Sequence, residues 1–344
     1  MVCGVRCGLD GVVVVVVVLV MVMACAGVHP MRRGAQVAVG LAVTMACVTG
    51  VIALAQRPPA IPEGVRAELD IPYAATTNPR QRLDLYLPKK PAAEGPVPLV
   101  VFIHGGGWRA GSKAAGVVLM PLVLSGEYAL ASVAYRFTDE AIWPAQIHDC
   151  KAAIRWLRAN AATYGIDPER IGVAGSSAGG HLVCLLGTTG GVAELDGTLG
   201  EHVDEDTRVS CVVNQFGPTD FVEIEEANAM AKDLVAKLLG GKPEDVPAVA
   251  RTASPVTHVT MDDAPVICIH GTADALVPYS QSTKLDRACE KAGVECLVLT
   301  IPGGGHGGFA NPEIIVRTKQ FIDRHLLGRE ATISEEPIPP VAGR

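Results

Sequence analysis

Residues 171–180, IGVAGSSAGG, constrain the fold more than any other part of this 344-residue chain. The segment begins as a buried-strand pattern, breaks into small residues around Ser177, and resumes as an apolar helical run. A Gly-x-Ser-x-Gly match is informative in this strand–turn–helix context. Glycines at 175 and 179 permit a turn tight enough to expose Ser177 in a strained backbone conformation. The sequence therefore predicts a nucleophilic serine at the end of a strand.

Apolar runs typical of strands alternate with helical patterns of roughly ten to fifteen residues. Strands are predicted at 65–73, 81–87, 99–103, 128–135, 171–174, 209–216, 265–270 and 295–301, and helices at 112–125, from 144 onward, at 181–186, 228–239, 280–292 and 312–326. Such alternation indicates right-handed βαβ crossovers and a mostly parallel sheet flanked by helices. Residues 217–260 break the rhythm after the sixth strand. We expect one α/β domain over 65–326, with 217–260 inserted as a lid-like segment.

The first 55 residues are typical of targeting sequence. From Met31, the pattern runs through Arg32 and Arg33 and an apolar stretch to Ala-Leu-Ala at 53–55, as in a cleaved signal peptide. Met31 is then the natural start, and the protein is expected to be periplasmic or secreted. The alternative is a membrane anchor carrying an extracytoplasmic catalytic domain. Residues 56–64 are predicted to be a linker and 327–344 a mobile tail.

Charge and cysteine patterns exclude several classes of function. The net charge is −7 and no cluster of lysine and arginine occurs, which argues against a nucleic-acid partner. Membrane contact is expected only if the N-terminus stays uncleaved. The cysteines show no zinc-ligand spacing, so no metal or other cofactor is predicted. Cys289 and Cys296 straddle a helix end and the next strand, where a disulfide is conceivable.

A serine nucleophile needs a histidine base and a carboxylate that orients it. Asp274 follows the strand at 265–270, and His306 lies just past the last strand in a glycine-rich segment. Both positions are at carboxyl ends of strands, where the side chains can meet Ser177. The sequence predicts Ser177, His306 and Asp274 as nucleophile, base and acid.

Other acids and histidines are weaker candidates. Asp220 follows its strand at the correct edge and is the rival for the acid, or else it pins the inserted segment. Asp262 and Asp263 precede a strand and lie at the wrong edge. His270 is expected to be a structural histidine at a strand end, and His181 lies inside the helix after Ser177.

Acyl transfer also requires donors for an oxyanion. The segment HGGGW at 104–108 follows a strand, and its glycines allow amides to face a cavity. We assign Gly106 and Gly107, with the amide of Ala178, and Gly105 is the alternative to Gly107. His104 is expected to brace this loop.

These motifs together resemble the α/β-hydrolase fold carboxylesterases that carry an HGGG oxyanion motif. HGGGW, GSSAGG, HGTADALVP at 270–278 and the glycine-flanked His306 carry the resemblance, which covers residues 65–326. WPAQIHDCKAAIRW at 143–156 and ASPVT at 253–257 resemble the branch with bacterial acetylxylan and feruloyl esterase-like proteins. A large N-terminal cap, as in hormone-sensitive-lipase-like relatives, is not expected. The chain order Ser, Asp, His is the one found in that fold.

The resemblance implies a serine ester hydrolase that acts on short acyl groups, acetyl above all, of carbohydrates. Aromatic residues make up only 4% of the chain, and the insertion is short for a lipase tunnel. Trp108, Tyr135 and Phe221 are predicted to edge the substrate pocket. The alternatives are an amide-cleaving relative, either an arylformamidase or a peptidase, and a non-catalytic binding protein on the same scaffold.

Overall fold

The computed structural model describes residues 61–224 and 226–339. Eight strands lie in this described part of the chain, in one sheet. They are β1 (Val65–Pro72), β2 (Arg82–Pro88), β3 (Val97–Ile103), β4 (Ala129–Val133), β5 (Ile166–Ser176), β6 (Cys211–Gln215), β7 (Val266–Gly271) and β8 (Cys296–Ile301). The sheet order is β1-β2-β4-β3-β5-β6-β7-β8. β2 is antiparallel to both of its neighbours, β1 and β4, and every other neighbouring pair of strands is parallel.

Helices connect the strands across both faces of the sheet. They are α1 (Met120–Leu124), α2 (Ala145–Ala159), α3 (Ala161–Tyr164), α4 (Ala178–Thr188), α5 (Ala193–Asp196), α6 (Ala229–Leu239), α7 (Pro247–Thr252), α8 (Ser280–Ala292) and α9 (Pro312–Leu327), with 3-10 turns at Lys113–Leu119 and Pro255–Thr257. One core cluster packs α2, α4 and α8 on the sheet, and the other packs α1 and α9 on the opposite face. The predicted α/β-hydrolase fold, a mostly parallel sheet with an insertion after the sixth strand, is confirmed. It brings the carboxyl ends of β3, β5, β7 and β8 to one edge.

The segment predicted as one helix over 112–125 is divided in two. A 3-10 turn runs from Lys113 to Leu119, and α1 begins at Met120. Two residues account for the break. Pro121 has no backbone N–H with which to continue an α-helical ladder. A Cβ on Gly116 would lie 2.4 Å from the hydroxyl oxygen of Ser132, so the turn lies unusually close to β4.

The described part of the C-terminal tail packs against the domain, in contrast to the mobile tail that the sequence predicts. The backbone N–H of Ile338 donates to the carbonyl of Thr300 in β8, and the Arg317 guanidinium donates to the carbonyls of Ser334 and Glu336. Ile333 and Ile338 are both buried. These two isoleucines offset the mobility that a proline-rich composition suggests, because burying them removes apolar surface from water.

The predicted export segment or anchor, and part of the predicted linker, lie outside the described residues, so export stays a prediction. Over residues 61–224 and 226–339, no helix combines the length and the apolar character needed to cross a bilayer.

Candidate active site

Ser177 lies at the sharp turn between β5 and α4. Its backbone has φ 54° and ψ −120°, a conformation that residues with side chains rarely adopt. The two glycines of the motif make this turn possible. A Cβ on Gly179 would lie 2.1 Å from the carbonyl oxygen of Ile103, and one on Gly175 would lie 2.4 Å from that of Gly179. The backbone N–H of Ser177 donates to Gln215, which ties the turn to β6.

The structure brings the three residues predicted for nucleophilic chemistry into contact. His306 Nε2 lies 2.9 Å from Ser177 Oγ, and His306 Nδ1 lies 2.7 Å from Asp274 Oδ2. The Asp274 side chain is fully buried, whereas that of His306 is 24% exposed. The histidine can therefore meet both a buried carboxylate and a molecule that enters from solvent.

Asp274 is held as a carboxylate. Burial alone would raise its pKa, but hydrogen bonds from His270, from His306 and from the amides of Val277 and Leu276 outweigh burial and hold the pKa well below its ordinary value of 3.8. Both amides lie 2.9 Å from Oδ1. Since an ionised carboxylate has no proton to donate, Nδ1 of His306 is the donor to Oδ2.

The position of that proton sets the direction of the next hydrogen bond. In a neutral imidazole with a proton on Nδ1, Nε2 is an acceptor. The Ser177 hydroxyl then donates to Nε2, which is the arrangement a histidine needs in order to remove the serine proton. Phe216 packs edge-on against the His306 ring, with ring centroids 4.8 Å apart, and restricts the orientation of the imidazole.

The HGGGW loop lies directly against this serine. A Cβ on Gly105 would lie 3.3 Å from the Cβ of Ser177, and Gly107 lines the same cavity as Ser177 and Ala178. Gly106 and Gly107 have φ values of 118° and 59°, in the left-handed region that favours glycine. Within the described residues, the amides of Gly106, Gly107 and Ala178 donate no hydrogen bond to another group. These amides are therefore free to bind a ligand.

His104 and Tyr135 support the HGGGW loop through hydrogen bonds and ring stacking. Nδ1 of His104 lies 2.8 Å from the carbonyl oxygen of Gly105, which fits the predicted bracing role. Tyr135 donates its hydroxyl to the His104 carbonyl at 2.9 Å, and the two rings stack with centroids 4.5 Å apart. Tyr135 is fully buried by these contacts. The prediction that it edges the substrate pocket is wrong.

A small apolar cavity of about 60 Å³ opens beside Ser177. Trp108 and Phe221 line it, as predicted, but they meet each other edge to face and are buried. Neither offers an open flat face to a ring. Most of the remaining wall comes from the inserted segment and the segment after β7: Ile224, Ala227, Ala231, Leu234, Val235, Leu276 and Val277.

Leu234 was not predicted from the sequence. It lies on α6, and a Cβ on Gly107 would lie 3.0 Å from two of its methyl carbons. The inserted helix thus packs onto the HGGGW loop and closes one side of the cavity. Periodicity indicates that such a helix has an apolar face but not which loop that face covers.

The remaining candidates have structural contacts. Asp220 accepts from the amides of Val222 and Glu223 and from Lys284, and so pins the start of the insertion while Asp274 contacts His306. Nε2 of His181 lies 2.7 Å from the Ala253 carbonyl, and Nδ1 lies 3.2 Å from Trp108 Nε1.

The other acidic residues and the two cysteines considered in the sequence analysis lie away from Ser177. Asp263 caps the loop before β7 by accepting from the Thr260 amide, and Asp262 is its neighbour in that loop. Cys289 and Cys296, for which a disulfide was conceivable, both carry free thiols.

The fold and this Ser–His–Asp arrangement together define the class of the α/β-hydrolase esterases. The model of the BD-FAE family matches residues 83–289, and the chain belongs to that family. It is 33% identical to Esterase LipC of Mycobacterium tuberculosis over 234 residues, 67% of this chain and 57% of that protein. The chain spans about half the length of the curated relatives it matches.

Two solved structures are similar. A truncated carbohydrate esterase from gut microbiota is 33% identical with a TM-score of 0.72, and the match covers 79% of this chain and all of that one. A propionate-bound esterase from the planctomycete Thermogutta terrifontis is 25% identical with a TM-score of 0.61, covering 79% and 97% of the two chains. Both are esterases with this fold.

Proposed function

We propose that this protein is a serine carboxylic-ester hydrolase that cleaves short-acyl esters through an acyl-enzyme intermediate. The observation that carries the proposal is the 2.9 Å contact between Ser177 Oγ and His306 Nε2, with Asp274 2.7 Å behind the imidazole. Ser177 attacks the ester carbonyl while His306 takes the hydroxyl proton. The same histidine then gives that proton to the leaving alcohol. Water, deprotonated in turn by His306, releases the acid and regenerates the serine.

The developing oxyanion is bound by the free amides of Ala178, Gly106 and Gly107 in this proposal, with Gly105 as the alternative to Gly107. Ala178 is the first residue of α4, so the positive end of the helix dipole adds to the stabilisation of negative charge. Donors set in place before the reaction need no reorganisation when the charge forms. Asp274 stays ionised and stabilises the imidazolium of His306.

The size of the cavity supports a short acyl group. An engineered apolar cavity of about 150 Å³ holds benzene, whereas the cavity beside Ser177 has about 60 Å³. An acetyl or propionyl group fits this space, and a long acyl chain does not. The similar esterase of Thermogutta terrifontis is known with propionate bound, which is a short-chain acid.

For the alcohol part of the substrate, we propose an acetylated carbohydrate. The support comes from the similarity to a carbohydrate esterase of gut microbiota. The buried positions of Trp108 and Phe221 mean that these rings do not provide a stacking platform for the sugar. The carbohydrate would then contact the exposed rim of the site, and the acyl group alone would enter the cavity.

An acyl-length series of nitrophenyl esters tests the proposal. We expect kcat/KM to peak between acetyl and butyryl and to fall by octanoyl, since each extra methylene would have no apolar wall to contact. A maximum at octanoyl or beyond would contradict the short-acyl assignment. Acetylated xylo-oligosaccharides compared with simple aryl acetates test the carbohydrate assignment separately, and equal rates on the two would remove it.

A further inference from the structure

His270, at the end of β7, touches the same carboxylate oxygen as His306. Its Nε2 lies 3.3 Å from Asp274 Oδ2 and 2.9 Å from the carbonyl oxygen of Val277. Its Nδ1 lies 2.8 Å from the hydroxyl of Ser282, in the first turn of α8. The ring is completely buried, as is the Asp274 side chain. Two histidines from different parts of the chain therefore meet on one oxygen.

The surroundings of His270 determine which nitrogen carries its proton. Nε2 faces a carbonyl and a carboxylate, and both accept only. Nε2 must therefore be protonated, and its N–H donates to the Val277 carbonyl while lying against Asp274 Oδ2. The Ser282 hydroxyl can then donate to Nδ1. Unlike an ordinary structural histidine, His270 places a protonated ring nitrogen against the carboxylate behind His306.

We propose that His270 is a positioning residue for the ester hydrolysis proposed above, acting through Asp274. Its Nε2–H packs against Oδ2 and holds the Val277 carbonyl, while the amides of Leu276 and Val277 hold Oδ1. Together with the hydrogen bond from His306, these contacts leave the carboxylate one orientation. The proposal concerns orientation and charge; His270 itself does not touch the substrate.

The shared oxygen also has an electrostatic consequence. Asp274 stabilises a protonated His306 only while Oδ2 stays in line with Nδ1. Without the contact from His270, the carboxylate turns and stabilises that imidazolium less, so the acid limb of the pH–rate profile moves to lower pH. The titratable groups facing His270 are Asp274, His306, Tyr279 with its ring 5.6 Å away, and Cys268 behind Ser282.

Two amide variants separate this role from simple packing. In His270→Gln, the side-chain nitrogen lies near the position of Nε2 and still reaches Oδ2. In His270→Asn, the shorter side chain can keep the contact with Ser282 but withdraws the donor from Asp274. The control is His258→Asn, because His258 also bonds a backbone carbonyl but lies in the loop before β7. Rates are normalised to the fraction of serine that reacts with a fluorophosphonate.

We expect kcat of His270→Asn to fall about ten- to hundred-fold, the range for one hydrogen bond to a charged group, with little change in KM. Its acid limb moves to lower pH, and the Hδ1 proton of His306 shifts upfield in the NMR spectrum because the hydrogen bond to Asp274 is weakened. His270→Gln stays within about threefold of the wild-type kcat, and His258→Asn keeps the wild-type kcat.

A His270→Asn protein with wild-type kcat, acid limb and Hδ1 shift, and only a lower melting temperature, would overturn the proposal. If neither His270 variant folds, ¹⁵N NMR of the wild type decides, because an unprotonated Nε2 on His270 contradicts the assignment. Wild-type protein that hydrolyses no ester defeats the proposed function. The Hδ1 comparison then still tests the role of His270.

Discussion

At the scale of single residues, backbone conformation and close packing account for the position of Ser177. A φ of 54° at a serine costs on the order of 1–3 kcal/mol, and the surrounding contacts must hold it. The carbonyl of Ile103 and the amide hydrogen bond to Gln215 do so only because residues 175 and 179 lack side chains. The two glycines of the motif are therefore required because a side chain at either position would clash with the neighbouring backbone.

Those requirements explain which site residues could be predicted from the sequence. Ser177, Asp274 and His306 stand beside glycines at the carboxyl ends of strands, so pattern and chain order locate them. The second histidine on Asp274 and the burial of Tyr135 could not be found in this way. Both depend on which side chain turns inward after a strand, and hydrophobic periodicity carries no signal for that choice.

His181 provides a test of how the burial of a histidine changes its pKa and, through it, the pH dependence of stability. Burial lowers its pKa from 6.5 to about 4, although its hydrogen bond to Ala253 acts in the opposite direction. Between these two values the unfolded chain binds a proton that the folded protein does not. Stability therefore falls as pH drops from 6.5 to about 4, by on the order of 3 kcal/mol from this residue.

Urea unfolding at several pH values measures this contribution. We expect His181→Gln to lose most of the slope of unfolding free energy against pH in that window, whatever its stability at pH 7. Parallel curves for wild type and His181→Gln would contradict the assignment of a neutral buried histidine.

At the scale of elements, α6 forms one wall of the cavity. Leu234 closes the side next to Gly107, where a Cβ would have only 3.0 Å of clearance from its methyl groups. Leu234→Ala should open space for a longer acyl chain. Each added methylene that then finds an apolar wall contributes about 0.8 kcal/mol, or roughly fourfold in kcat/KM. If the space freed by the substitution takes about two methylenes, the ratio of hexanoyl to acetyl ester hydrolysis should rise roughly fifteenfold.

Met230→Ala is the matched control, because Met230 lies on the same helix with its side chain 65% exposed. Its acyl-length profile should equal that of wild type. If Met230→Ala shifts the profile as much as Leu234→Ala, the effect comes from loosening α6 and the role of Leu234 is refuted.

Element boundaries followed the sequence pattern closely in the C-terminal part of the domain, whereas the strand predicted at 171–174 extends over Ile166–Ser176. The helix predicted over 280–292 has those bounds, and the strand predicted at 295–301 begins one residue later. The prediction failed where a single close contact decided the outcome. The contact of Gly116 with Ser132, together with Pro121, divides the helix after β3, and two isoleucines pack the tail against the domain next to β8. Propensity and periodicity average over a window and do not detect such contacts.

At the scale of the whole molecule, a buried ion pair anchors the long loop between α4 and β6. Lys151 in α2 has a side chain with no exposed surface and donates to Asp196 Oδ1 and to the Thr189 carbonyl, both at 2.5 Å. Burial lowers the pKa of Lys151, and Asp196 opposes that shift. Asp196→Ala leaves a buried charge without its partner and should cost about 3 kcal/mol or more of unfolding free energy.

Chemical denaturation of Asp196→Ala and of Asp233→Ala measures how much unfolding free energy each variant loses relative to wild type. Asp233 pairs with Lys237, and both side chains are more than half exposed, so its loss should cost under about 1 kcal/mol. Equal costs for the two variants would show that Lys151 is not held by Asp196 in solution.

The proposed ester hydrolysis requires Ser177 to be the nucleophile. Peptide mass spectrometry after incubation of the folded protein with a fluorophosphonate identifies the residue that is modified. We expect one covalent adduct, on the peptide that contains Ser177, and none in Ser177→Ala. Folded wild-type protein that forms no adduct, or an adduct that persists in Ser177→Ala, would contradict it.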